Sequence, residues 1–129
     1  MAVVVLDASV LIAHLDAGDV HHAVAKRTLV ERGDDDLRMS ASAYAETLVG
    51  PIRKGWLERA RADLVALLIA VDAIDASIAE QAAGLRARHR GLGLPDALVI
   101  AHGESFGADA ILTTDRRWRR VSEKVEVLA

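Results

Sequence analysis

Cysteine is absent from this 129-residue chain, which excludes a disulfide framework, a thiolate zinc site and a cysteine nucleophile. Aromatic residues make up only 3% of it, so a barrel or sandwich built on large side chains is not expected, and the alanine-rich apolar content points to closely packed helices. Long apolar runs are missing as well. The longest strongly apolar stretch, Leu64 to Val71, falls far below the roughly 20 residues that a bilayer span needs, so no membrane association is expected. Met1 to Leu6 meets Asp7 after a very short apolar run with no basic region, so no signal peptide is expected and the expected location is cytoplasmic. Nor is there an excess of positive charge: 16 Lys and Arg stand against 19 Asp and Glu, a formal charge of −3 that by itself argues against a general binder of nucleic acid.

What the chain does contain is enough apolar material to fold. Apolar residues are 52% and charged residues 27% of a length typical of one domain, so a single domain spanning residues 1–129 with one core is expected. Val3 to Leu6 reads as a strand and Ala8 to Leu15 as a helix. His21 to Arg32 reads as a second helix, stopped by Gly33 and the acidic run Asp34 to Asp36. Leu37 to Ala41 is a weaker strand, and Ser42 to Val49 a helix ended by Gly50 and Pro51. Ile52 to Ala70 reads as one long helix, or two broken near Gly55, and Val71 to Ile74 as a short strand. Ser77 and Glu80 have the spacing of a capping box opening a helix to about Arg90. Pro95 suits the first position of the next helix, which stops at Gly107. Ala110 to Thr114 reads as a buried strand, Asp115 to Arg120 as a helical turn or two, and Val125 to Leu128 as an edge strand. Short apolar strands alternating with helices predict an α/β domain with a largely parallel central sheet.

In such a sheet, ligands bind beyond the carboxyl ends of the strands, and acids placed there matter most. Asp7 and Asp115 each follow a strand; Glu46 lies in the helix after the second strand, and Asp96 opens the helix that leads to the Asp115 strand. Singly, each has a bland explanation: Asp7 and Asp115 as helix N-caps, Asp96 as a complement to a helix dipole, Glu46 as a solvated residue. Together, four carboxylates converging on one cleft would repel one another and need a cation to stay ionised. A donor set of oxygen alone suits Mg²⁺ or Mn²⁺ and not zinc.

Asp7-Ala8-Ser9 after an apolar strand, Glu46 in the third helix, Leu94 to Ile100 around Asp96, and Ile111 to Trp118 around Asp115 resemble the motifs of PIN-domain ribonucleases. Among these the chain is most similar to VapC-type toxins of bacterial toxin–antitoxin pairs, in order and over nearly its whole length. The resemblance implies a three-layer α/β/α sandwich with a mainly parallel sheet of about five strands. It also implies a metal-dependent endoribonuclease in which Asp7, Glu46, Asp96 and Asp115 hold Mg²⁺, or Mn²⁺ in its place, and metal-activated water hydrolyses the phosphodiester to a 5′-phosphate and a 3′-hydroxyl. Ser9 and Thr113 match small hydroxyl positions that orient carboxylates or water. His102 departs from the pattern, where relatives usually carry a small residue; it either packs in the core or approaches the site. A cognate VapB-type antitoxin, a tRNA, rRNA or mRNA substrate and a homodimer follow from the same likeness. Leu11, Ile12, Leu15, Leu48, Val49, Ile52 and Trp56 are candidates for the antitoxin groove or a dimer face.

Arg116 and Arg117 follow Asp115 directly and are placed to hold RNA phosphates beside the cut. Arg86, Arg88 and Arg90 can serve the same end or simply solvate a helix, while Trp56 and Trp118 are expected to pack. Setting the four site acids aside leaves 15 acids against 16 bases, so the rest of the chain is +1 and the acid excess is no larger than the site. The alternative is a PIN-like binding module without catalysis. A phosphotransfer receiver is disfavoured because Lys26, Lys54 and Lys124 end no central strand, and a haloacid-dehalogenase-like phosphatase because Asp7 is followed by Ala8-Ser9 and no second Asp. Gly91-Leu92-Gly93 follows a helix and lacks the third glycine of a dinucleotide loop.

Overall fold

The computed structural model describes residues 1–129. Its strands are β1 (Val3–Leu6), β2 (Asp36–Ser40), β3 (Ala70–Asp72), β4 (Ala110–Thr113) and β5 (Val125–Val127). The helices are α1 (Ala8–Leu15), α2 (His22–Glu31), α3 (Ala41–Lys54), α4 (Leu57–Ala66), α5 (Ala76–Arg88) and α6 (Leu94–Ser105), with a 3₁₀ helix at Arg116–Arg120. The five strands pair in the order β3-β2-β1-β4-β5, all parallel, as the expected three-layer α/β/α sandwich requires.

From β1 the chain steps outward to β2 and β3, then returns over the sheet to β4. Right-handed crossovers put α1 to α4 on one face for the outward steps and α5 and α6 on the other for the return. Val4, Val5, Leu6, Ile111 and Leu112 lie between these layers, essentially without solvent contact. Covered on both faces, β1 and β4 therefore read as continuous apolar runs. The order reverses at β1, whose neighbours β2 and β4 are reached from opposite directions, and the crevice beyond its carboxyl end is where such sheets bind ligands. No helix is long and apolar enough to cross a membrane.

Three local expectations need correction. α3 does not stop at Val49 but continues through Gly50 and Pro51 to a C-cap at Gly55, whose φ of 81° ends it. An interior proline costs a helix about 3 kcal/mol; here Pro51 is buried, and tertiary packing outweighs the local penalty. The following helix α4 ends at Ala66, because Leu68 adopts a left-handed φ of 57°, and Ala70 belongs to β3. Finally, Ser77 is no N-cap: Asp75 caps α5 by accepting from the Ile78 N–H at 2.9 Å, which leaves Ser77 inside the first turn.

Candidate functional site

Asp7 leaves the end of β1 with its N–H bonded to Leu112 O at 2.9 Å, so the sheet itself fixes where its side chain starts. It occupies the N-cap position of α1, yet its carboxylate makes no capping bond. Instead Oδ2 accepts from Ser9 Oγ at 2.7 Å and from Thr113 Oγ1 at 2.8 Å. Ser9 Oγ in turn accepts the Thr114 N–H, and Thr113 Oγ1 accepts the Asp115 N–H, both at 3.1 Å. These bonds stitch the β1–α1 and β4 ends together around one carboxylate.

Glu46 reaches this end from α3 and Asp96 from the first turn of α6. Burial lifts the carboxyl pKa of Asp7 above the ordinary value, and repulsion from Asp96 adds to it against the two hydroxyl bonds. Glu46 is raised by burial and then by Asp7 and Asp96, while Asp96 is raised by burial and by Asp115. Asp96 thus raises Asp7, and both raise Glu46, so the three carboxylates form a site that favours positive charge. No three carboxylates surround one point closely enough to ligate a single ion directly as the side chains stand.

Asp115 joins the group only through Asp96. Its bland role is realised: Oδ1 caps the 3₁₀ helix by accepting the Arg117 N–H at 2.9 Å. Both carboxylate oxygens are gripped by the Arg117 guanidinium, at 3.1 and 2.8 Å, which holds Asp115 below the usual carboxylate range. Arg117 is thus engaged with an acid while remaining largely exposed, and Arg116 beside it is also exposed.

Trp118 packs, as expected, with only 1% of its surface exposed. Its buried indole N–H faces the Asp96 carboxylate and pulls that acid's pKa down, although the pair falls outside hydrogen-bond geometry. Sequence reading assigned Trp118 no part in the site; a lone aromatic among four arginines was the available sign that this turn is held from inside. His102 resolves to the core. Fully buried, it bonds through Nε2 to Asp72 Oδ2 at 2.9 Å, and Asp72 Oδ1 takes Arg38 Nη1 at 2.8 Å. Arg38 lies over the Phe106 ring, so His102 belongs to a structural network of β2, β3 and α6 and not to the acid group.

Among the apolar candidates, Leu11 is fully buried and belongs to the core. Ile12, Leu15, Val49 and Trp56 line a groove of about 260 Å³ between α1 and α3, with Glu46 also on its wall. Ile52 is exposed, and Leu48 packs partly against the core.

The PIN domain family profile matches residues 4–124. By sequence, no curated protein matches the chain. Among solved structures, it is similar to a toxin–antitoxin complex from Klebsiella pneumoniae, with a TM-score of 0.81 at 23% identity over 98% of each chain. The VapC20 sarcin–ricin loop cleaving toxin of Mycobacterium tuberculosis gives 0.69 at 24% identity, over 84% of this chain and 86% of that one. VapBC2 from Rickettsia felis, bound to a DNA fragment from its promoter, gives 0.77 at 16% identity over 98% and 99%. At these identities the likeness is one of fold.

Proposed function

The chain belongs to the PIN-domain family, and from that premise we propose that it is a metal-dependent endoribonuclease acting as the toxin of a toxin–antitoxin pair. The observation that carries this reading is the release of Asp7 from helix capping into a carboxylate group with Glu46 and Asp96 at the strand-order reversal.

Asp7, Glu46, Asp96 and Asp115 would hold the ion. Their all-oxygen chemistry fits Mg²⁺ or Mn²⁺, and their spread suits an ion that takes one or two carboxylates directly and keeps water on the rest. The chemistry that such an ion would supply when bound is a lower pKa for water and neutralisation of charge developing on the phosphoryl oxygens. Ser9 and Thr113 both hold Oδ2 of Asp7 and so leave Oδ1 for the reacting side. Glu46, the most exposed of the three raised acids, is placed to take a proton from the attacking water. Water oxygen bonds to phosphorus, the bond to the 3′ oxygen breaks, and the products are a 5′-phosphate and a 3′-hydroxyl. Arg117 can exchange the Asp115 carboxylate for a substrate phosphate of the same bidentate geometry. The groove between α1 and α3, apolar and ending at Glu46, suits a segment of a VapB-type antitoxin that covers the acids.

The test pairs Asp7→Asn with Asp96→Asn. Both should fold, lose RNA cleavage, and lose the rise in melting temperature that Mg²⁺ gives the parent. Full cleavage by either variant would overturn the assignment. A parent that binds RNA without metal-dependent scission would instead support a binding module. Sedimentation of the free chain, and of the chain co-expressed with its neighbouring gene product, checks the expected dimer and antitoxin.

A further inference from the structure

Seven of the 16 basic residues fall in two short stretches, residues 86–90 and 116–120, separated by a helix and a strand. The fold brings the two stretches together. A cavity of about 470 Å³ beside the acid group is lined by Arg88 and Arg90 from the end of α5 and its loop, and by Arg117 and Arg120 from the 3₁₀ helix, with Asp96 and Trp118 between them. Arg117 is satisfied by Asp115, but Arg88, Arg90 and Arg120 make no ion pair and are exposed. Three unpaired guanidinium groups lining one cavity leave it positive apart from Asp96, and an anion placed among them offsets that charge. The lining is not uniformly polar: Leu92 and Val121 supply apolar surface, beside the ring of half-buried His89. The volume lies within the about 300–1,000 Å³ of sites that take small ligands, larger than one phosphate needs.

We propose that this cavity is a nucleotide subsite for the RNA strand: Arg88, Arg90 and Arg120 hold the backbone phosphate next to the one cut, and its nucleoside lies against His89, Leu92 and Val121. Asp96 is shared between the cavity and the acid group, so a strand seated here runs directly into the carboxylates. The inference rests on the nuclease reading and adds to it a strand path that Arg116 and Arg117 alone do not define. A single strand suits the cavity, because unpaired nucleotides present both a phosphate and a free base face to one pocket.

The test is fluorescence anisotropy of a labelled, mixed-sequence single-stranded RNA with Ca²⁺ in place of Mg²⁺, over a series of salt concentrations, with a gel confirming that the probe stays intact. Arg88→Ala/Arg90→Ala and Arg120→Ala are compared with the parent and with Lys26→Ala/Arg27→Ala on α2, whose side chains are equally exposed. The cavity variants should bind about tenfold more weakly and lose about 0.7 from the slope of log K against log salt for each phosphate contact removed. The α2 variant should bind like the parent. Cavity variants with parental affinity and slope, an α2 variant equally weakened, or a parent that does not bind the probe would each overturn the subsite. A parallel cleavage assay in Mg²⁺ separates the two readings. A parent that binds through these arginines but never cuts overturns the nuclease and leaves the subsite standing, whereas a parent that cuts, with cavity variants that bind and cut like it, overturns the subsite alone.

Discussion

Thr113 donates its hydroxyl to Oδ2 of Asp7 at 2.8 Å across 106 residues of sequence, while its Oγ1 accepts the Asp115 N–H at 3.1 Å. With Thr113 wholly buried, water cannot replace the bond. Thr113→Val keeps the shape and removes the hydroxyl, so we expect a stability loss of about 1.5–3 kcal/mol, the range for a hydrogen bond to a charged group. Cleavage should fall by about 10–100-fold, as when a group that orients a metal-binding carboxylate is lost. Thr113→Ser should restore most of both. Denaturant unfolding and an RNA cleavage assay give the two readouts, and a fully active Thr113→Val would show that Asp7 needs no such anchor.

A second expectation concerns pH in the absence of divalent metal. Burial, then Asp96, raises the Asp7 pKa in the folded state, so between the unfolded and folded values the native protein binds the extra proton. The buried charge therefore destabilises above the folded pKa, and this penalty is relieved as pH falls through it. Two groups act in the opposite sense as pH falls: Asp115, lowered by Arg117, loses its stabilising contribution on protonation, and His14, lowered by burial, resists the charge that the unfolded chain accepts. The difference between variants isolates Asp7. In EDTA, Asp7→Asn should melt above the parent at neutral pH, and the gap should close as pH falls towards the ordinary carboxylate range of about 4. A gap of constant size, or a parent that melts higher at neutral pH, would count against a buried, raised Asp7.

His102 should matter to stability and not to chemistry. Its ring joins α6 to Asp72 at the end of β3, and Asp72 in turn holds Arg38 of β2. His102→Ala removes a fully buried ring and strips Asp72 of one partner, a combination of cavity and broken network that we expect to cost about 2–4 kcal/mol. Cleavage per folded molecule should stay near the parent's. A large fall in turnover with unchanged stability would place the ring in the reaction instead.

Three of the four acids stand out in the sequence because each lies next to an abrupt change of pattern, whereas Glu46 sits inside a helix with no such mark. Asp7 and Asp115 interrupt β-branched or apolar runs at strand ends, and Asp96 follows a proline that opens a helix. Fold class followed from the same punctuation. What stayed illegible depends on contacts between distant segments. Pro51 reads as a helix breaker until burial holds it in α3, and Ser77 reads as a cap until Asp75, two residues earlier, takes the role. Leu11 and Ile12 look alike in sequence, but one faces the sheet and the other the groove. That Arg88 and Arg120 line one cavity depends on how the end of α5 comes to lie beside the 3₁₀ helix, information that no local spacing holds.

Gly103 shows how closely α6 is set against the sheet. A Cβ built there would stand 2.7 Å from both Cγ1 and Cδ1 of Ile111, and 3.6 Å from Val5 Cβ. Alanine normally improves a helix interior by about 1 kcal/mol over glycine. Ile111 is fully buried and Cγ1 is not the free end of its side chain, so overpacking of about 1–3 kcal/mol should exceed that gain. Relief would require α6 to move off β1 and β4, carrying Asp96 away from Asp7, so cleavage should fall along with the melting temperature. Ile111→Ala empties the space that the new methyl group needs. The double variant Gly103→Ala/Ile111→Ala should then be less destabilised than the sum of the two single changes. Strict additivity, or a Gly103→Ala chain as stable as its parent, would mean that the helix does not rest on the sheet at this residue.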